Sequence, residues 1–131
     1  MTRVEFHVVA SGASAARVHY ASDWLAALGQ HVRAHVLCDG SHAVELLQPL
    51  LAQFTHISLL DIDAPPPRPD RDTVLINLSE TVPPFFSRYR CAVDIADKHG
   101  ATVDADRLRY RFYRDRGYPL TLHTVEAEAV A

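Results

Sequence analysis

The sequence predicts an α/β protein: a three-layer sandwich of helices around a largely parallel sheet. Three observations lead there. Strand-like and helix-like patterns alternate along the chain, and such alternation places helices on both faces of a sheet. Val74–Leu78 (VLINL) is a nearly unbroken apolar run, as expected of a central strand covered on both faces. The composition is globular, with 48% apolar and 22% charged residues, and 131 residues suffice for one domain with its own core.

The elements follow in order. Residues 3–10 read as a strand with Val4, Phe6 and Val8 on one face and His7 and Val9 on the other. A helix runs on to about Leu28, with Val18, Ala21, Leu25 and Leu28 as its apolar stripe, Trp24 beside it and Gly29 as its cap. His31–Cys38 is a second strand, with Val32, Ala34, Val36 and Cys38 alternating inward. Asp39-Gly40-Ser41 turns into a helix through Ala43, Leu46, Leu47, Leu50 and Leu51, which Pro49 is expected to bend or end early. A short strand lies near His56–Leu60. Residues 61–72 form a flexible loop rich in proline and charge, which is not a domain boundary. After Val74–Leu78 come a short helix, a strand at Cys91–Ala96 and a helix at Ala105–Arg116, and residues 124–131 read as a frayed tail.

Several function classes lose support. No apolar run approaches the roughly 20 residues of a membrane span, and the N-terminus opens directly on a strand pattern rather than a secretory signal. Cys38 and Cys91 sit in apolar runs and read as buried thiols of a reducing cytosol. The first strand–helix turn has one glycine, Gly12, where a dinucleotide fingerprint needs three, and no Walker sequence occurs. An anion held by the Ser11–Ala13 amides, as in a nucleotide-binding enzyme or sensor, remains the alternative. Of eight histidines, His31 and His35 share a strand face but lie about 13 Å apart, and the others are scattered singly, so no metal set is read. Asp61 and Asp63 read as solvated loop acids, and Ser79 lacks the glycines of a nucleophile elbow.

Two surfaces remain. Residues 86–116 carry eight Lys/Arg against five acids, a net +3, while the rest of the chain carries −6. One basic face on a weakly acidic protein suits an acidic peptide better than duplex DNA. On the last helix Arg107, Arg111 and Arg114 recur at i, i+4 and i+7, with Tyr110 beside them and Leu108 and Phe112 toward the core. Guanidinium groups grip carboxylates, and neighbouring rings offer an apolar pocket, so a peptide with a free C-terminal carboxylate satisfies both. A solvated helix face is the plainer reading of the same residues, and direct binding of single-stranded nucleic acid by this helix is a further alternative. The second surface is Val82-Pro83-Pro84-Phe85-Phe86, of whose two rings one is expected in the core and the other exposed.

The stretch LINLS-x-x-VPPFFSR (Leu75 to Arg88), the strand with Asp94 and the helix RYRFYRDRGYPL (Arg109 to Leu120) resemble the chi subunits of bacterial DNA polymerase III, over nearly the whole chain. The resemblance implies a nucleotide-binding-like sheet without a catalytic role or cofactor, in a cytoplasmic adaptor of the clamp loader. It implies that one surface binds the acidic C-terminal tail of single-stranded DNA-binding protein (SSB), touching DNA only indirectly, and that another binds the psi subunit or a competing helicase. Carried over by position, Arg107 grips the tail carboxylate, Tyr110 and Gly117 belong to the pocket wall, and Arg111 and Arg114 extend the site. The partner-facing residues are Leu59, Leu60 and Phe54. The chain departs from the family pattern at Val103, where a basic residue is common, at Ala52, where tryptophan is common, and at Ser58-Leu59-Leu60-Asp61.

Overall fold

The structure, a computed structural model, describes residues 1–10, 16–28, 32–38, 41–61, 63–64, 68–69, 72–98 and 102–125. Among the described residues six strands form one sheet: β1 (Arg3–Val9), β2 (Ala34–Leu37), β3 (Ile57–Leu60), β4 (Val74–Asn77), β5 (Cys91–Asp97) and β6 (Leu120–Val125). Their order is β3-β2-β4-β5-β1-β6, and every neighbouring pair is parallel. Helices α1 (Ala16–Ala27), α2 (Ser41–Gln53) and α3 (Val103–Asp115) complete the three layers.

Two cores sandwich the sheet. One lies under α1 and α2 and joins Ala21, Leu25, Leu47 and Leu50 to Val9, Val36, Ile76, Val93 and Ile95. The other lies under α3 and joins Val4, Phe6, Leu75, Phe85, Phe86, Tyr89, Ala92 and Tyr113. The alternation expected in β1 holds, because Val4 and Phe6 enter the second core while Val9 enters the first. Strand β4 pairs with β2 and β5, and β5 with β4 and β1. These inner strands are buried almost throughout, as their apolar runs require.

Several expectations are corrected. Helix α2 continues through Pro49 to Gln53, because Leu47 and Leu50 on its inner face outweigh one lost backbone hydrogen bond. Leu108 is 64% exposed, and α3 instead buries Asp106, Arg109 and Tyr113 at i, i+3 and i+7. Its inward face is partly charged, so apolar spacing alone gave the wrong phase. Phe85 and Phe86 are both buried. Phe85 sits just before a single 3-10 turn, Phe86–Arg88, so the two rings are not successive positions on one helix and both reach the sheet. Cys38 and Cys91 are half-buried rather than buried.

Strand β6 was not expected. Among the described residues it pairs with β1 alone and exposes its four central residues, Leu122 among them, so no buried face marks it as a strand. Thr124 and Val125 belong to it, whereas residues 126–131 of the expected tail lie outside the described residues. The same holds for Gly29, the Asp39-Gly40 turn, His31 and the Ser11–Ala13 turn. Part of the 61–72 loop is described: Asp61 Oδ1 accepts the Asp63 N–H at 2.9 Å, a local turn rather than an acid–base pair.

Candidate functional site

A groove of about 360 Å³ opens between α3 and the β1–β6 edge. Register builds its floor. Phe6 pairs with Leu122, and in-register parallel neighbours share a face, so both look toward α3 together with Val8 and Ala96. The wall is α3: Val103, Arg107 and Arg111 descend at intervals of four, and Tyr110 and Arg114 follow Arg107 at three and seven. The Tyr110 ring meets Phe6 edge to face at a centroid distance of 5.4 Å, closing the floor against the wall. Lys98 and Asp97 supply the end of the groove.

The groove also lies where α/β sheets place their ligands. Helix α1 packs on β1 and β5 from one side, and α3 packs on β5 from the other. The two strands stay paired to Val9 and Asp97, and the groove lies over their carboxyl ends on the α3 face. Sequence position alone placed Arg107, Tyr110, Arg111 and Arg114 on one helix face, and the structure gathers all four in this groove.

Its electrostatics favour an anion. Arg107, Arg111, Arg114 and Lys98 line it against two acids, Asp97 and Asp106. Asp106 is already committed to Arg109 and to the Asp97 N–H at 2.9 Å. Arg107 and Arg111 are exposed and have no ion pair among the described residues, while Arg114 donates to Asp115 at 3.1 Å in a solvent-exposed pair. Burial pushes the Asp97 carboxyl up from its ordinary value, against the pull of Arg17.

Behind the wall, Arg109 fixes the helix to the sheet. It is 2% exposed, donates from Nη2 and Nε to Asp94 at 2.8 and 3.0 Å, and reaches Asp106 and the Glu80 carbonyl as well. Asn77 Nδ2 adds a donor to Asp94 at 3.0 Å. Burial alone would lower the Arg109 pKa, but the two carboxylates outweigh it and raise it; burial raises Asp94 against the pull of Arg109. Arginine does not deprotonate, so Asp94 stays its counter-ion. Neither role was read from the sequence, where the only signal was an acid–arginine pair at i, i+3 in a charged helix. Lys98 and Leu122 were also missed, because nothing local marks them.

Gly117 is not in the groove. It adopts φ +75° just after α3. There the Gly117 N–H donates to the Arg114 carbonyl at 3.1 Å and the Tyr118 N–H to the Tyr113 carbonyl at 3.2 Å, the pairing of a Schellman end. It turns the chain into β6 and folds the Tyr118 ring to within 5.0 Å of Phe86.

At the far edge of the sheet, β3 carries Leu59 and Leu60. Phe54 and Leu59 pack against the α1/α2 core and Leu60 against the other, so the three straddle the edge rather than share a face. Four strand spacings, about 19 Å, separate β3 from β1. Asn77 is 1% exposed and bonded to Asp94, so it serves the core. His7 and His123 are not scattered, since β1 and β6 set them side by side.

These observations define a parallel α/β protein with a cationic, aromatic-floored groove near its strand ends and no phosphate-binding sequence. The family profile described as DNA polymerase III chi subunit, HolC, matches residues 57–121. The DNA polymerase III subunit chi of Pseudomonas aeruginosa is 30% identical, over 94% of this chain and 96% of its own length. The chain belongs to the chi subunit family of DNA polymerase III. That family works in DNA replication as part of the polymerase III complex, and among the described residues no helix is long and apolar enough to cross a membrane.

Proposed function

We propose that this chain is a non-catalytic adaptor of the clamp loader, whose α3 groove binds the acidic C-terminal tail of SSB. The observation that carries this reading is the convergence of Arg107, Tyr110, Arg111 and Arg114 on one groove with an apolar floor. A tail ending in an aromatic residue with a free carboxylate matches it in two parts. The carboxylate meets the cationic rim, Arg107 first, and the ring lies over Phe6, Val8 and Leu122 beside Tyr110. Upstream acids of the tail run along Arg111 and Arg114. Val103 takes the place of a common basic residue, and Lys98 in the same groove offers a substitute charge.

The opposite edge, with Leu59 and Leu60 on β3 and Phe54 just after α2, is the proposed surface for psi or a competing helicase. An exposed edge strand invites a partner through its free backbone groups, and its two flanking leucines supply side-chain contacts on both faces. With about 19 Å between β3 and β1, the tail and the second partner bind at once. The protein thereby ties SSB-coated single strands to the replicase while touching DNA indirectly.

The test is calorimetric titration with the C-terminal peptide of the organism's own SSB. Saturable binding, lost with Arg107→Ala and with a peptide lacking its last aromatic residue, is the expected result. No binding at low salt by the unaltered pair would overturn the site assignment.

A further inference from the structure

On the sheet face opposite the groove, β1 and β6 assemble two imidazoles and a carboxylate. His7 and His123 are register partners with ring centroids 4.9 Å apart. Glu5 lies two residues before His7 and therefore on the same face of β1. Its Oε1 is 3.2 Å from His7 Nε2 and 3.7 Å from His123 Nε2. One ligand atom from each of the three residues lies within 4.8 Å of the others.

Two ligands at about 2.05 Å from one tetrahedral ion stand about 3.3 Å apart. The Glu5–His7 and Glu5–His123 separations thus bracket what such an ion needs. The surroundings orient the donors. His7 Nδ1 is 2.6 Å from the Tyr20 hydroxyl, which accepts its N–H when Nε2 carries the lone pair, the outer-sphere bond a ligating histidine uses. The other carboxylate oxygen of Glu5 is occupied: Arg3 Nη2 donates to Oε2 at 3.4 Å and Cys91 Sγ at 3.5 Å. Oε1 is the oxygen left facing the imidazoles. His7 is buried, Glu5 half-buried and the His123 side chain 53% exposed, so the cluster is anchored within and reachable from solvent.

We propose that Glu5, His7 and His123 form a binding site for a divalent transition-metal ion of the zinc class, with the fourth position taken by water. Two imidazoles and one carboxylate suit zinc or cobalt rather than magnesium or calcium. The ion bridges β1 to β6, an edge strand that the sheet otherwise holds through β1 alone. Leu122, on the groove floor, is the neighbour of His123, so the ion stiffens the groove from behind.

The experiment uses the full chain, stripped with a chelator and titrated with Co²⁺ and Zn²⁺, with Mg²⁺ as the contrasting ion. Metal content after dialysis gives the stoichiometry, the visible Co²⁺ bands give the coordination, and thermal melts report linkage. The expected result is one zinc per chain, tetrahedral Co²⁺ bands, and a rise in melting temperature with Zn²⁺ but not with Mg²⁺. His123→Ala, at an exposed edge, and the isosteric Glu5→Gln should each weaken uptake at least tenfold, and Tyr20→Phe about tenfold. Circular dichroism confirms that the variants fold. No stoichiometric uptake by the unaltered chain, or equal uptake by His123→Ala and Glu5→Gln, would overturn the proposal and leave a hydrogen-bonded cluster only.

Discussion

Replacing Arg109 by alanine removes a guanidinium that joins Asp94, Asp106 and the Glu80 carbonyl. Asp94, 1% exposed, is left with the Asn77 amide as its side-chain donor among the described residues. Breaking a buried pair from one side costs about 3–5 kcal/mol, because the other charge stays buried without compensation. At about 2.1 cal/mol/K per residue, unfolding 131 residues carries an entropy near 0.28 kcal/mol/K. The expected fall in Tm is therefore roughly 10–18 °C, measured by calorimetry together with urea titration. Asp94→Asn removes the stranded charge, so the double variant should lose clearly less than the two single losses combined. Arg107→Ala, two positions earlier, should do the reverse. It is exposed and has no ion pair among the described residues, so stability should change by less than about 0.5 kcal/mol. Peptide affinity should fall about 5–30-fold, as for loss of about 1–2 kcal/mol of charge-assisted contact. A loss under about 1 kcal/mol for Arg109→Ala, or strict additivity with Asp94→Asn, would refute the view that this pair holds α3 to the sheet.

Other outcomes follow from the same geometry. Tyr89, 3% exposed with its hydroxyl 2.7 Å from His35 Nδ1, has its pKa pushed up by burial to about 12 from 10.0. The folded value lies above the unfolded one, so this stability is whole below pH 10.0 and lost as pH rises through about 12. The gap limits the effect to roughly 2.5 kcal/mol; urea midpoints across that range should fall less steeply in Tyr89→Phe. Gly117→Ala meets no atom within 4 Å, so its cost comes from φ +75° alone, about 1 kcal/mol by denaturant titration. Leu122→Glu, at a site 56% exposed, should leave the melt unchanged but weaken tail binding by placing a carboxylate on the groove floor. Binding to the unaltered protein should weaken between about 0.05 and 0.5 M salt, because exposed guanidinium–carboxylate contacts are screened.

Local chemistry was enough for much of this. Alternating patterns determined a parallel α/β sandwich, and the unbroken run at Val74–Leu78 identified an inner strand, because burial on both faces demands apolar residues at successive positions. Helical spacing placed Arg107, Tyr110, Arg111 and Arg114 on one face, and the LINLS to VPPFFSR stretch carried the chi family likeness. The tertiary structure decided what depends on contacts between distant segments. It turned α3 so that Arg109 rather than Leu108 faces inward, since Asp94, which selects that phase, comes from another element. It buried both Phe85 and Phe86, and it gave the arginine row a floor from Phe6 and Leu122, which lie more than a hundred residues apart in sequence. It also set His123 against His7 through β6, a strand whose four central residues, Leu122 included, face solvent and so leave no buried face to read. Periodicity reports which face of an element is apolar; which neighbour meets that face is fixed only by register and packing across the sheet.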